Sequence, residues 1–352
     1  MKVVTLAGDG IGPEIMQQAI RVLEYIVDTH GLSLTHHAYA FGGAAIEAKG
    51  MPLPKETLQA CQEADAVLLA AIGGPKWQDA TQTPEQGLLA LRKSLSLFAN
   101  IRPVKVSEQL VDFSPLKASI VKGTDLVVVR ELTSGVYFGT PSYQKEQEAV
   151  DTNYYHVDEI KRIVRYAFEL AKIRRQKVCA VDKANVLATS RLWRKVVAEI
   201  ALEYPECEVT YQYVDSAAME VIKNPTRFDV IVTENLFGDI LSDETSVLPG
   251  SLGVLPSASH GTGVSLYEPI HGSAPDIAGL NQANPISMIL SVAMMLRESF
   301  GQQEIATRLE YACDQALATC RTPDLAGKAT TTEVTDAVLA AYKKENVYAN
   351  TI

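Results

Sequence analysis

The chain is 352 residues long, enough for about two domains. Its composition is that of a globular protein, 47% hydrophobic and 21% charged, which excludes a disordered chain, a collagen-like repeat and a small disulfide scaffold. A net charge of −10 excludes a broad positive field, so neither nucleic acid nor an anionic membrane is an expected partner. Any bound anion must be met by a local cluster of Arg or Lys.

Residues 3–7 read as a buried strand, stopped by glycines at 8, 10 and 12. Pro13 and Glu14 then open a helix to about residue 29, because Pro suits the first helical turn and an early acid complements the helix dipole. A second apolar strand is expected over 65–72, halted by Gly73, Gly74 and Pro75. Further short strands are expected over 125–130, 177–182, 208–214 and 228–233. Helical periodicity marks 157–174, 190–203, 285–300, 303–319 and 333–344. Between them, 131–143 has the texture of an arm or hairpin. Alternating strands and helices predict an α/β protein whose helices cover a largely parallel sheet. The five cysteines form no CxxC pair and read as reduced core residues. The apolar run at the start is too short for a signal sequence, and the longest such run (66–72) is far short of a membrane span, so a cytoplasmic location is expected.

Several motifs carry chemistry. Gly8-Asp9-Gly10-Ile11-Gly12 has GxGxG spacing, not GxGxxG, so it is either a tight strand-to-helix turn or the backbone wall of a ligand pocket. Arg92, Arg102 and Arg130 stand near strand or helix ends. Each either pairs with a structural acid or offers its planar fork to a carboxylate or phosphate. Asp239 and Asp243 are four apart; on a helix they share a face, either solvated or holding a hard cation such as Mg²⁺ or Mn²⁺, with Asp215, at the end of a strand, as a third carboxylate. Lys183 follows the strand 177–182 and is either a proton acceptor or a partner of Asp182. Tyr137 is either an acid or a packing residue. The loop His271-Gly272-Ser273-Ala274-Pro275-Asp276-Ile277-Ala278, closed by Asn284, lacks an apolar period and suits an adenine and a ribose diol.

Jointly and in this order, these motifs resemble the β-decarboxylating dehydrogenase family, whose members oxidise isopropylmalate, isocitrate, homoisocitrate, tartrate or D-malate. The stretches 235–259 and 268–279 carry the resemblance, which runs nearly end to end. It implies a two-domain α/β fold with a large mixed sheet flanked by helices, not a Rossmann domain: 1–98 with 250–352 as the cofactor-binding domain, and 99–249 for metal, substrate and dimerisation, with an arm at about 131–150. It implies that Arg92, Arg102 and Arg130 clamp the substrate carboxylates, that Asp215, Asp239 and Asp243 hold Mg²⁺ or Mn²⁺, that Lys183 is the base and Tyr137 the acid. Lys183, Asp215 and Val186 would come from the second subunit of a homodimer. Glu85, Leu88, Leu89 and Val186 would set substrate choice, an apolar seat that favours isopropylmalate over isocitrate, D-malate, tartrate or homoisocitrate. Residues 74–85, including Gly74, Pro75 and Glu85, would line the nicotinamide. Asp276, where NADP-using relatives carry a lysine, favours NAD. A non-redox dicarboxylate-binding protein and a cofactor-free lyase are the alternatives outside this class. Ser134 and Thr245 depart from the family's frequent Gly and Ala without touching an implied role.

Overall fold

The computed structural model describes residues 1–78 and 80–349. Twelve strands are present among them: β1 (Lys2–Gly8), β2 (Thr35–Ala38), β3 (Ala66–Ala71), β4 (Ala99–Lys105), β5 (Asp125–Glu131), β6 (Tyr143–Gln144), β7 (Ala149–Val150), β8 (Lys177–Asp182), β9 (Glu208–Tyr213), β10 (Val230–Thr233), β11 (Pro256–His260) and β12 (Ser265–Pro269). The chain divides into two units, one formed by 1–96 with 251–352 and the other by 97–250.

In the first unit the strands run in the order β2-β1-β3-β12-β11, parallel except for the β12–β11 pair. β3 is buried at every position, as a continuous apolar run requires of a strand covered on both faces. The helix Ile286–Glu298 packs against β11 and β12 and is buried almost all round. Its polar groups are satisfied internally: the Ser287 hydroxyl donates to the Leu255 carbonyl and that of Ser291 to the Ser287 carbonyl. The helices Gly12–His30 and Gln303–Thr319 pack against it, and Thr331–Ala349 packs against those two. The helix Pro84–Ser94 starts from a capping box, in which Thr83 accepts from the Gln86 amide and Gln86 accepts from the Thr83 amide.

In the second unit the order is β4-β5-β10-β8-β9, with β4 antiparallel to β5 and the other pairs parallel. The helix Val157–Lys172 buries Ile160, Ile163, Val164, Ala167, Phe168 and Ala171, the stripe its sequence spacing predicts. The arm is mostly loop. Its regular part is the hairpin β6–β7, two residues per strand, in which Tyr143 faces Val150. Asp215 is not at a strand end: β9 stops at Tyr213, and Asp215 lies in the first turn of the helix Val214–Lys223, where a carboxylate is favoured by the helix dipole. Among the described residues no helix is long and apolar enough to cross a membrane, and all five cysteines are free thiols.

Candidate active site

The second unit holds a cluster of hydrogen-bonded polar side chains. On the helix Asn235–Ser246, Asn235, Asp239 and Asp243 follow one another at four-residue spacing and share a face. Beside it, next to the last residue of β5, stands Arg130, which is only 5% exposed. Burying a guanidinium is costly unless its N–H groups are matched. Here Nε and Nη2 donate to Asn235 Oδ1 at 3.1 and 2.8 Å, and Nη1 donates to Asp239 Oδ1 at 2.5 Å. The other Asp239 oxygen accepts from the Tyr137 hydroxyl at 2.8 Å, and the Tyr137 ring lies 5.7 Å from the guanidinium carbon. Tyr137 is 47% exposed, so it is not a core packing residue. Partial burial and the Asp239 carboxylate push its phenol above the ordinary tyrosine range and keep it protonated. Gly238 permits this assembly: a Cβ there would stand 2.6 Å from Arg130 Cγ.

Arg102 donates to Asn100 Oδ1 at 3.0 Å and to Asp243 Oδ1 at 3.1 Å. Lys183 pairs with Asp215, not with Asp182: Nζ is 2.8 Å from Asp215 Oδ1 and lies over the Tyr213 ring. The Lys183 ammonium holds the Asp215 carboxyl below its usual range. Asp182 is claimed by Arg194, which donates two bonds of 2.8 and 2.9 Å, and by the Ala184 amide. Val186 is exposed. Asp239 and Asp243 are thus brought together with Arg130, Arg102 and Tyr137, whereas Asp215 is paired with Lys183. Among the described residues of one chain, no three His, Cys, Asp or Glu side chains stand close enough to hold a metal ion.

In the first unit, Arg92 Nη2 donates to Glu268 Oε1 at 2.7 Å, an ion pair with a buried acid. On the same helix Leu91 is fully buried, but Leu88 and Leu89, about one turn before Arg92, are half-buried and exposed, so neither belongs to the core. Glu85 is exposed, and its Oε1 lies where a Cβ on Gly73 would sit, at 2.5 Å. Gly74 and Pro75 follow directly; Asp79, in the stretch 74–85, lies outside the described residues.

The glycine turn at 8–12 organises this region. Asp9 accepts from the amides of Gly43, Ala44 and Gly73. Gly10, at φ +56°, lets the turn approach the Ser273 carbonyl, which accepts from the Ile11 amide. Ser273 in turn donates to the Gly73 carbonyl at 2.8 Å. Glu14 accepts from the amides of Gly279 and Ala283. The 271–284 loop is therefore held from below by the first strand-to-helix turn. On it, His271 Nδ1 lies 2.9 Å from the Gly272 carbonyl, which only accepts, so Nδ1 carries the proton and Nε2 presents a lone pair. That Nε2 is buried without a partner, and burial lowers the imidazole pKa and keeps the ring neutral. Gly272, Pro275 and Asp276 are exposed, and Ala274, Ile277 and Ala278 half-buried. Asn284 is buried, with its amide engaged by Asp324 and the Ile286 amide.

A profile of the isocitrate/isopropylmalate dehydrogenase family matches residues 2–338. The chain belongs to that family. It is an enzyme, a β-decarboxylating dehydrogenase. Within this family, the 3-isopropylmalate dehydrogenase of Streptococcus thermophilus is 59% identical over 96% of this chain and 99% of its own. That of Listeria innocua is 57% identical over 96% and 97%. Among solved structures, isocitrate dehydrogenase from Methylococcus capsulatus superposes with a TM-score of 0.86 at 36% identity, covering 97% of this chain and 99% of its own. A β-decarboxylating dehydrogenase from Thermococcus kodakarensis gives 0.82 at 35% identity, covering 97% and 96%.

The donor sets suit the groups such a dehydrogenase uses. The aspartates offer hard oxygens suited to Mg²⁺ or Mn²⁺, and the unpaired Nε2 of His271 is an acceptor fit for an exocyclic amine. Three polar neighbours of the predicted site residues carry no motif that singles them out in the sequence. Asn235 was findable, since it stands one turn before Asp239 on the same face. Glu268 and Glu234 had no local signal, because their partners, Arg92 and Asn153, lie 176 and 81 residues away.

Proposed function

We propose that this dehydrogenase oxidises 3-isopropylmalate at C2 with NAD and then decarboxylates it to 4-methyl-2-oxopentanoate, a step of leucine biosynthesis. The observation that carries the reading is the hydrogen-bonded set Arg130–Asp239–Tyr137 on a chain of this family: a matched cation, a carboxylate and a protonated phenol in direct contact. Arg92, Arg102 and Arg130 supply guanidinium groups for the two substrate carboxylates. Leu88, Leu89 and Val186 supply apolar surface for the isopropyl group; being accessible, they are available to it, and burying it is favourable by about 0.8 kcal/mol per CH₂.

Asp215, Asp239 and Asp243 would hold Mg²⁺ or Mn²⁺, which when bound lowers the pKa of the C2 hydroxyl and draws off negative charge. Gly74, Pro75, Glu85 and the loop 271–278, with Asn284 at its end, would hold NAD, which accepts the hydride. His271 Nε2 would accept from the adenine amine, and Asp276 from the ribose diol, while repelling a 2′-phosphate. Lys183 takes the hydroxyl proton as hydride leaves C2. The 2-oxo acid then carries a carboxylate β to its carbonyl; the C3–carboxylate bond breaks, its electron pair passes towards the C2 carbonyl as an enolate, and CO₂ leaves. Tyr137 delivers the proton to C3.

Asp215 and Lys183 are paired with each other, apart from Asp239, and the two-residue strands of β6–β7 are too short to be stable alone. Both facts support a homodimer in which each site takes Lys183, Asp215 and Val186 from the partner subunit. Free thiols fit a cytoplasmic enzyme. The test is NADH formation over a panel of 3-alkylmalates, isocitrate, tartrate and D-malate with Mg²⁺ present. The expected result is the highest kcat/KM for 3-isopropylmalate; isocitrate or D-malate ranking first would overturn the apolar-seat reading.

A further inference from the structure

We propose that Asn235 is a positioning residue that fixes the substrate-binding guanidinium of Arg130 and ties it to the loop bearing Tyr137; this rests on the role given to Arg130 above. Asn235 is 1% exposed, in the first turn of its helix. Its Oδ1 accepts two N–H groups of Arg130, Nε at 3.1 Å and Nη2 at 2.8 Å. Its Nδ2 donates at 3.0 Å to the carbonyl of Ser134, three residues before Tyr137. The orientation of the amide is dictated by its neighbours. A guanidinium only donates and a carbonyl only accepts, so the reverse orientation would set donor against donor and acceptor against acceptor. Only a side chain that accepts at one end and donates at the other spans this gap.

The surroundings hold the amide rigid. The Asn235 backbone N–H donates to the Tyr155 hydroxyl at 2.9 Å. On the far side of Ser134, the buried Glu131 carboxylate accepts from the amides of Thr133 and Ser134, so the loop is pinned at both ends of its first turn. Asn235, Asp239 and Tyr137 then surround one guanidinium: Asn235 takes its Nε–Nη2 edge, Asp239 takes Nη1, and Asp239 also accepts from Tyr137. Losing the amide removes the acceptor of the Nε–Nη2 edge and leaves the plane of the guanidinium less firmly set, and a tilted fork no longer meets a carboxylate with two parallel bonds.

The test compares Asn235→Ala, Arg130→Lys and the double variant in the full-length, metal-loaded enzyme. Kinetics is read beside calorimetric binding of 3-isopropylmalate and of NAD. Removing two charge-assisted hydrogen bonds should raise the substrate KM and Kd of Asn235→Ala about 10- to 100-fold, leave the NAD constants unchanged and lower kcat less than it raises KM. Because Asn235 acts through Arg130, the double variant should be no worse than Arg130→Lys alone. Multiplying effects in the double variant, or an unaltered substrate KM in Asn235→Ala, would overturn the inference. A normal substrate KM in Arg130→Lys would instead remove the carboxylate-clamp reading itself, and this inference with it. Asn235→Asp, of the same size, serves if the alanine variant does not fold. It keeps an acceptor for Arg130 but loses the donor to Ser134 and offsets the arginine charge, so the same KM rise and the same non-additivity with Arg130→Lys are expected; their absence is equally decisive.

Discussion

Tyr137 and Glu234 show how a few ångströms of surroundings set the chemistry of a side chain. The Tyr137 phenol is held protonated by partial burial and by Asp239, which suits delivery of a proton late in the reaction. Tyr137→Phe should lower kcat by about 10²-fold or more with substrate KM nearly unchanged. Because the lost step follows hydride transfer, rapid mixing should still show a burst of NADH in the first turnover; a missing burst would move Tyr137 to an earlier step. Glu234 is buried at the N-cap of the helix Asn235–Ser246, bonded to Asn153, with Asp182 and Glu131 adding negative charge nearby. Burial raises its carboxyl from 4.5 to about 7. The folded state therefore holds a proton that the unfolded chain releases near pH 4.5, and this group's contribution to stability falls as pH rises from there towards 7. Glu234→Gln should stabilise the protein at pH 8 by on the order of 2–3 kcal/mol and flatten that slope, with little change below pH 4.5. Chemical denaturation across pH measures it; equal stability of the two forms at pH 8 would sink it.

The helix Asn235–Ser246 illustrates how an element is fitted to its strand. Gly238 faces Arg130, and a methyl group there would stand 2.6 Å from Cγ and 2.7 Å from Cβ of that side chain. Alanine favours a helix by up to about 1 kcal/mol over glycine. Overpacking against a buried side chain costs about 1–3 kcal/mol, so the clash outweighs the propensity. Gly238→Ala should lower Tm and raise the substrate KM together; a more stable variant with normal KM would show that Arg130 has room to shift. The spacing Asp239–Asp243 made this face legible in the sequence, because the helical repeat is local. The strands β3, β5 and β8 were legible for the same reason, being continuous apolar runs. β4, with two charged residues and a proline among its seven, carries no such signal and forms by pairing with β5. The ion pair Lys183–Asp215 was equally hidden, since a sequence offers Asp182 as the nearer acid and only the fold shows Arg194 occupying it. The turn at 8–12 was legible as a turn. What Asp9 holds in place was not, for its partners at 43, 44 and 73 come together only when β1 and β3 pair.

For the molecule as a whole, the separation of Lys183 and Asp215 from Asp239 and Asp243 makes assembly from two copies directly testable. Lys183→Met and Asp239→Asn should each abolish turnover when pure. If each site draws Lys183 from one subunit and Asp239 from the other, mixing the two variants after dissociation should restore about one quarter of normal activity, since half the dimers are mixed and each has one intact site. No recovery on mixing would place all the groups of a site on one chain.

The arginines also act as stand-ins. Asp239 and Asp243 are each already paired with a guanidinium of the same unit, Arg130 and Arg102. A divalent ion arriving alone must compete with both, and a diacid arriving alone must draw both away from their acids. Arriving together, each partner removes the obstacle to the other. Calorimetry should therefore find Mg²⁺ binding weakly by itself and more tightly once the dicarboxylate is present, with reciprocal gains for the two, a coupling that charge exchange alone would create.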